Sequence, residues 1–194
     1  LSRGWPGRAL VVWGVLGALA LTIGALEYRD RFRAAPGPEA DAGRLLPVPV
    51  DQLTAVEVAN RGQLHRFERD AAGTWFYHGM HTAAAAEHTH EADPALAERI
   101  DRAFAALGRA RVERQFPLEG DGATYGVAAP EVVILVYGAR DGQPLAQYAV
   151  GHVAPDTASR YVAAVGTRRV LTVPAFHIDS LLALVQSAAE ASAR

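Results

Sequence analysis

The sequence predicts an α+β fold: a single N-terminal transmembrane helix followed by a mixed, mainly antiparallel β domain with two helices. Three observations predict it. An uncharged apolar run lies near the start, from Ala9 to Leu26. Period-two segments separated by glycine-bearing turns recur from residue 54 onward. Two stretches, after Asp93 and after Pro174, carry apolar residues every three or four positions.

Composition bounds the function before any motif is read. The 194 residues are 50% hydrophobic and 21% charged, the proportions of a chain that buries a core. That length allows one domain of ordinary size plus an appendage. Basic and acidic residues nearly balance, 19 against 21, which argues against a general nucleic-acid binder. The chain has no cysteine, so disulfides, thiolate metal sites and cysteine nucleophiles are excluded. Every one of the 19 basic residues is arginine, which rules out a Walker-type phosphate loop and a lysine Schiff base.

Residues 9–28 are expected to span a membrane, after a short tail over 1–8. The run ALVVWGVLGALALTIGAL would make roughly 27 Å of helix, close to the ~30 Å hydrocarbon core. Trp5 and Trp13 lie toward one end and Tyr28 just past the other, where amphipathic rings favour the interface. Gly14, Gly17 and Gly24 would weaken a soluble helix but are common in membrane ones. A cleaved signal peptide has a related pattern, but Glu27-Tyr28-Arg29-Asp30-Arg31 follows at once, without a small-x-small site. Arginines flank both sides of the run: Arg3 and Arg8 before it, Arg29, Arg31 and Arg33 after it. A short tail before one span commonly leaves the following domain outside the cytoplasm. The expected location is therefore a bacterial inner membrane, single-pass, with the C-terminal domain periplasmic.

Residues 29–50 read as a juxtamembrane segment and a proline- and glycine-rich spacer. The folded domain is expected over 51–188, with a tail over 189–194. Thr54 to Ala59 alternates, Asn60-Arg61-Gly62 supplies a turn, and Gln63 to Arg69 alternates again. Asp70-Ala71-Ala72-Gly73 forms a second turn before Thr74-Trp75-Phe76-Tyr77. Asp93 is placed to cap a helix with Pro94 at its first position and Leu96, Ile100, Phe104 and Leu107 as its buried stripe. Arg109 to Phe116 reads as a returning strand. In the second half, Val132–Tyr137, Leu145–Val150, Arg160–Ala163 and Arg168–Val173 read as strands. Pro174 then opens a helix carrying Ile178, Leu181, Leu182 and Val185. Gly62-Gln63-Leu64 has an echo in Gly142-Gln143-Pro144-Leu145, and the two helices are about 80 residues apart. The pattern suggests a duplicated strand-strand-strand-helix unit.

Several short elements together resemble a bacterial family. They are Val56-Glu57-Val58, Leu64-His65-Arg66-Phe67, Gly73-Thr74-Trp75, Tyr125-Gly126-Val127-Ala128-Ala129-Pro130, Gly151 and Arg160-Tyr161-Val162. Their succession is similar to the bacterial domain-of-unknown-function family numbered 4340, over about residues 51 to 188. Val127 stands where leucine is usual, and Ala72-Gly73 where the turn usually has aspartate-glycine. The resemblance implies a membrane-attached accessory role and brings no catalytic residues with it.

The most chemical stretch runs from His78 to Asp93. His78, His81, His88 and His90 fall within it, with Met80 and the carboxylates Glu87, Glu91 and Asp93. Imidazole binds zinc and copper, a thioether adds affinity for Cu(I), and carboxylates can complete a zinc site. These four histidines are the candidate metal ligands, for copper or zinc. The competing reading is an ordinary polar loop between a strand and a helix, made costly to close on a metal by its alanine run. His65, His152 and His177 read as surface or partly buried residues. His177-Ile178-Asp179-Ser180 holds triad residue types, but adjacency is not triad geometry and no Gly-x-Ser-x-Gly elbow accompanies it. Gly120-Asp121-Gly122 with Gly126 lacks the spacing of a dinucleotide fingerprint and reads as a loop.

The expected function is non-catalytic: a single-span accessory or assembly subunit, held in the lipid bilayer through 9–28, placing its domain beside a larger membrane protein complex. The alternative is a periplasmic copper- or zinc-binding or delivery module using the histidine segment. Neither an enzymatic activity nor a nucleic-acid partner is expected.

Overall fold

The computed structural model describes residues 43–80, 93–139 and 142–192. They form an eight-stranded sheet and two helices. In chain order these are β1 (Leu53–Asn60), β2 (Gln63–Arg69), β3 (Trp75–Met80), α1 (Pro94–Gly108), β4 (Arg114–Pro117), β5 (Val132–Gly138), β6 (Pro144–Val153), β7 (Ser159–Ala164), β8 (Arg169–Pro174) and α2 (Ala175–Ser192). The strand order is β3-β2-β1-β5-β6-β7-β8-β4. Every ladder is antiparallel, where a mixed sheet was expected, because hairpin-length connections join most neighbouring strands and need no crossover.

β1 and β5 pair at the inside of the sheet, and from them two meanders run outward in opposite directions. The first, β1-β2-β3, is followed by α1. The second, β5-β6-β7-β8, is followed by α2. The second therefore has four strands, and the expected three-strand repeat unit does not describe it. β4 returns after α1 and pairs with β8 at the far edge, away from the strands that precede it in sequence.

Alternation sorts each strand into two faces. On one face of β1, β2 and β3 lie Val56 and Val58, Phe67, and Trp75 and Tyr77, all buried. α1 packs on this face. Asp93 caps the helix, its Oδ1 accepting from the amides of Ala95 (2.9 Å) and Leu96 (3.1 Å), with Pro94 at the first position as its sequence predicts. Phe104 then stands edge-on to both Trp75 (centroids 4.6 Å apart) and Phe67 (5.6 Å). Edge-to-face pairs of this kind add about 0.5–1.5 kcal/mol each to simple burial. Ile178, Leu181 and Val185 of α2 join the same core, with Leu182 partly buried.

Residues 43–50, assigned to the spacer by their prolines, belong to the fold. Leu45 and Leu46 are each 4% exposed and packed in the core. The Leu45 amide donates to the Ala110 carbonyl (2.9 Å), and the Leu45 carbonyl accepts from the buried Tyr148 hydroxyl. Two adjacent leucines in a proline-rich stretch are thus tied to Ala110, just past α1, and to Tyr148 of β6. The other end of the domain also extends further, since α2 continues through residues 189–192. Among the described residues no helix is long and apolar enough to cross a membrane. The span expected over 9–28 lies outside them.

Candidate functional site

The helix-free face of β3-β2-β1-β5 carries a connected set of polar side chains. Glu57 of β1 lies directly across from Arg66 of β2, and Tyr137 of β5 is one step along the neighbouring ladder. Glu57 is 8% exposed, which demands partners for both carboxylate oxygens. They have them: Arg66 Nη1 donates to one at 2.5 Å and the Tyr137 hydroxyl to the other at 2.6 Å. Arg66 also pairs with Glu68, and its guanidinium sits 5.4 Å from the centre of the Tyr137 ring. Burial works to lower the Arg66 pKa, but its bonds to the two glutamates outweigh that and hold it above its ordinary value. Burial, helped by the bond to Glu57, pushes the Tyr137 phenol up to about 12. The result is a stiff plate whose charges answer one another.

His78 belongs to this plate. The structure extends β3 through Met80, so His78 sits in a strand and not in the expected loop, with Nδ1 3.2 Å from Glu68 Oε2. Of the four candidate metal ligands it is the one the structure places; His81, His88 and His90 lie outside the described residues. Among the described residues no group of three or more His, Asp or Glu side chains is arranged to hold a metal ion. What the structure brings to His78 is a carboxylate.

A second feature lies where β1 ends and β5 begins. There residues of α2 and of the β1–β2 turn line a groove of about 700 Å³. Two ion pairs border it, Arg61 with Glu131 (3.3 Å) and Arg160 with Asp179 (2.9 Å). His65 forms part of its lining although the residue is only 2% exposed. Its Nδ1 is 2.8 Å from the Tyr77 hydroxyl. Burial keeps the His65 pKa below 6.5 and raises that of Tyr77 to about 12, so at neutral pH the pair is an uncharged imidazole and a phenol. The sequence reads His65 as surface or partly buried and gives it no role, although its period carries the signal of full burial: positions 63, 65 and 67 share one face, and Phe67 marks that face as buried.

The remaining short elements have packing roles. Ala123–Tyr125 forms a 3₁₀ turn that lies over the helix-free face at the β6–β8 end of the sheet. Tyr125 contacts Phe116 (5.4 Å between centroids) and Tyr161 (5.1 Å), closing an aromatic cluster. Gly126 takes φ +73°, and a Cβ there would lie 2.5 Å from the His152 ring. His152 is thus the wall against which the turn seats. The family model described as "Domain of unknown function (DUF4340)" matches residues 88–190, more than half of the chain and the part that holds this turn. The chain belongs to the DUF4340 family. The matched region of this DUF4340 chain begins after β3, so Glu57, His65, Arg66, Glu68, Tyr77 and His78 precede it, while Tyr137 and all but the last two residues of α2 fall inside it. No curated protein and no solved structure matches the chain.

Proposed function

We propose that this DUF4340 protein is a non-catalytic accessory or assembly subunit, tethered to a bacterial inner membrane by a single span over 9–28. In this reading it holds its α+β domain in the periplasm beside a larger membrane protein complex. The observation that carries the reading is the helix-free face of β3-β2-β1-β5. There Glu57, Arg66, Glu68 and Tyr137 lock one another in place amid half-buried side chains such as Leu64, Val133 and Leu135. A pre-ordered face of mixed character loses little side-chain entropy when a partner covers it. Its groups are spent on each other and not on chemistry. The apolar run from Ala9 to Leu26, within the span over 9–28, supplies the tether.

Purification of the whole protein from membranes in mild detergent tests the reading. Recovery with a stoichiometric second subunit, lost on Leu135→Arg at the centre of the face, is the expected result. Recovery from the membrane fraction only as a monodisperse monomer, or from the soluble fraction without detergent, overturns it.

A second reading, a periplasmic copper- or zinc-binding or delivery module, draws support from one placement. β3 ends by setting His78 beside Glu68, two residues before the stretch that carries His81, His88 and His90. Metal analysis decides it. Stoichiometric copper or zinc that disappears in the His88→Ala/His90→Ala double variant favours it, and a metal-free protein from replete cells removes it.

A further inference from the structure

We infer that the groove between α2 and the β1–β2 turn binds an extended, uncharged peptide segment of a partner protein, with His65 donating a hydrogen bond to a backbone carbonyl. This rests on the accessory-subunit reading and specifies where and how such a partner is held.

The sense of the His65 hydrogen bond follows from Tyr77. The Tyr77 residue is 6% exposed, and its O–H needs an acceptor. His65 Nδ1, at 2.8 Å, is the hydrogen-bond partner that the structure gives it. If Nδ1 carried the hydrogen, it would point at the phenol oxygen and leave the buried O–H with nothing to donate to. The phenol therefore donates to Nδ1, and the neutral ring carries its hydrogen on Nε2. That nitrogen has no hydrogen-bond partner among the described residues, and the ring lines the groove. The groove is thus furnished with an N–H donor on a largely buried ring whose direction is fixed by a second buried residue.

The other lining groups define what it takes. Arg61 and Arg160 are each held by a carboxylate, so a free anion would have to break an ion pair to bind there. A neutral acceptor has no such cost. Asn60 and Gln63 contribute carboxamides able both to donate and to accept, and Gln186 donates to the Glu190 carboxylate (3.2 Å), so the lining offers donors and acceptors together, the requirement of a peptide backbone that alternates N–H and C=O. Leu182, Val185 and Ala189 share one stripe of α2 and line the same wall, offering a place for apolar side chains. A volume of about 700 Å³ suits a few extended residues.

The test uses the full protein in detergent, isotope-labelled for NMR, with an acetyl- and amide-capped valine-alanine-valine peptide as probe and sodium acetate as the free-anion control. Long-range nitrogen spectra should show His65 with its hydrogen on Nε2. The capped peptide should shift His65 and the Gln186 side-chain amide saturably, while acetate should not. Ala189→Arg, a change on the half-buried wall that fills the groove, should weaken the peptide at least tenfold. Tyr77→Phe, which frees Nδ1 to take the hydrogen, should weaken it while leaving the Gln186 contact shift in place. An Nδ1–H ring in the wild type, no saturable shift, unchanged affinity in Ala189→Arg, or acetate competing on equal terms would each overturn the assignment. The two proposals fail separately. A co-purifying subunit that survives Ala189→Arg while the peptide fails to bind removes the groove and leaves the accessory reading. Peptide binding by a protein that purifies without any subunit does the reverse.

Discussion

Gly151 lies so close to Tyr125 that a Cβ built on it would stand 2.0 Å from the Tyr125 carbonyl oxygen. The neighbour is backbone and cannot swing aside, unlike the tip of a flexible side chain. Gly151→Ala must therefore lift the 3₁₀ turn off the sheet and separate Tyr125 from Phe116 and Tyr161. A loss of about 3 kcal/mol is expected, at the upper end of ordinary overpacking costs. Chemical denaturation of the whole protein in detergent checks it; a loss below ~1 kcal/mol would show that the turn is not held where the geometry puts it.

Glu57 and Tyr137 come from strands paired at the inside of the sheet, and their bond should be measurable as a coupling. Tyr137→Phe is expected to cost about 1.5 kcal/mol, the lower end of the usual worth of a hydrogen bond to a charged group after solvation is counted. Glu57→Ala should cost more, about 3 kcal/mol, because it strips half-buried Arg66 of one carboxylate and the phenol of its acceptor. In the double variant the two losses should fall short of their sum by about 1 kcal/mol. Strict additivity would mean that the two side chains do not interact in solution.

Stability should decline as the solution is made mildly acidic. Burial holds the pKa values of both His65 and His177 below 6.5; for His177 the bond to the Ala106 backbone opposes this, and nearby Arg109 adds a smaller push downward. In the unfolded chain the same rings protonate near 6.5, so below that pH the unfolded state binds more protons. Their contribution is complete above about pH 6.5 and is lost as pH falls through the lower folded values. The denaturation midpoint should fall between about pH 7.5 and 5.5, and His65→Gln should flatten the slope. An invariant midpoint over that interval would contradict neutral burial of the two rings.

At the alkaline end, three of the six tyrosines should titrate late. Burial pushes Tyr77, Tyr137 and Tyr148 each to about 12, with Glu57 adding to the effect at Tyr137. A raised folded pKa means that the stability these phenols contribute is intact below pH 10 and disappears as pH climbs through about 12. Ultraviolet absorbance of phenolate should show this fraction ionising together with unfolding. Six tyrosines ionising together near 10 would place these rings in water.

Much of the secondary structure was legible in the residues. Asp93 and Pro94 signal the start of α1 unambiguously because capping is a local interaction between neighbours. The alternation of β1, β2 and β5 is equally local. What escaped is what depends on distant partners. Nothing near Leu45 says that Tyr148 waits for its carbonyl, so a proline-rich stretch read as spacer. Nothing near Arg114 says that its strand will pair with β8 and not with its own half. His78 reads as part of a polar loop between a strand and a helix, yet β3 carries it as the extra residue where its pairing with β2 shifts register, beside Gly79 at φ +101°. His65 was visible as a buried position, but its role waits on Tyr77, twelve residues away.

The two outward meanders have a consequence for the order in which the domain assembles. β1 waits for β5, the better part of eighty residues downstream, before the sheet has an inside, and β4 waits for β8 near the end of the chain. Such long separations are closed late and slowly. A chain that stops short of Arg169 would leave β4 with no neighbour and β7 with a bare edge, so truncated products should be sticky species and not smaller stable domains.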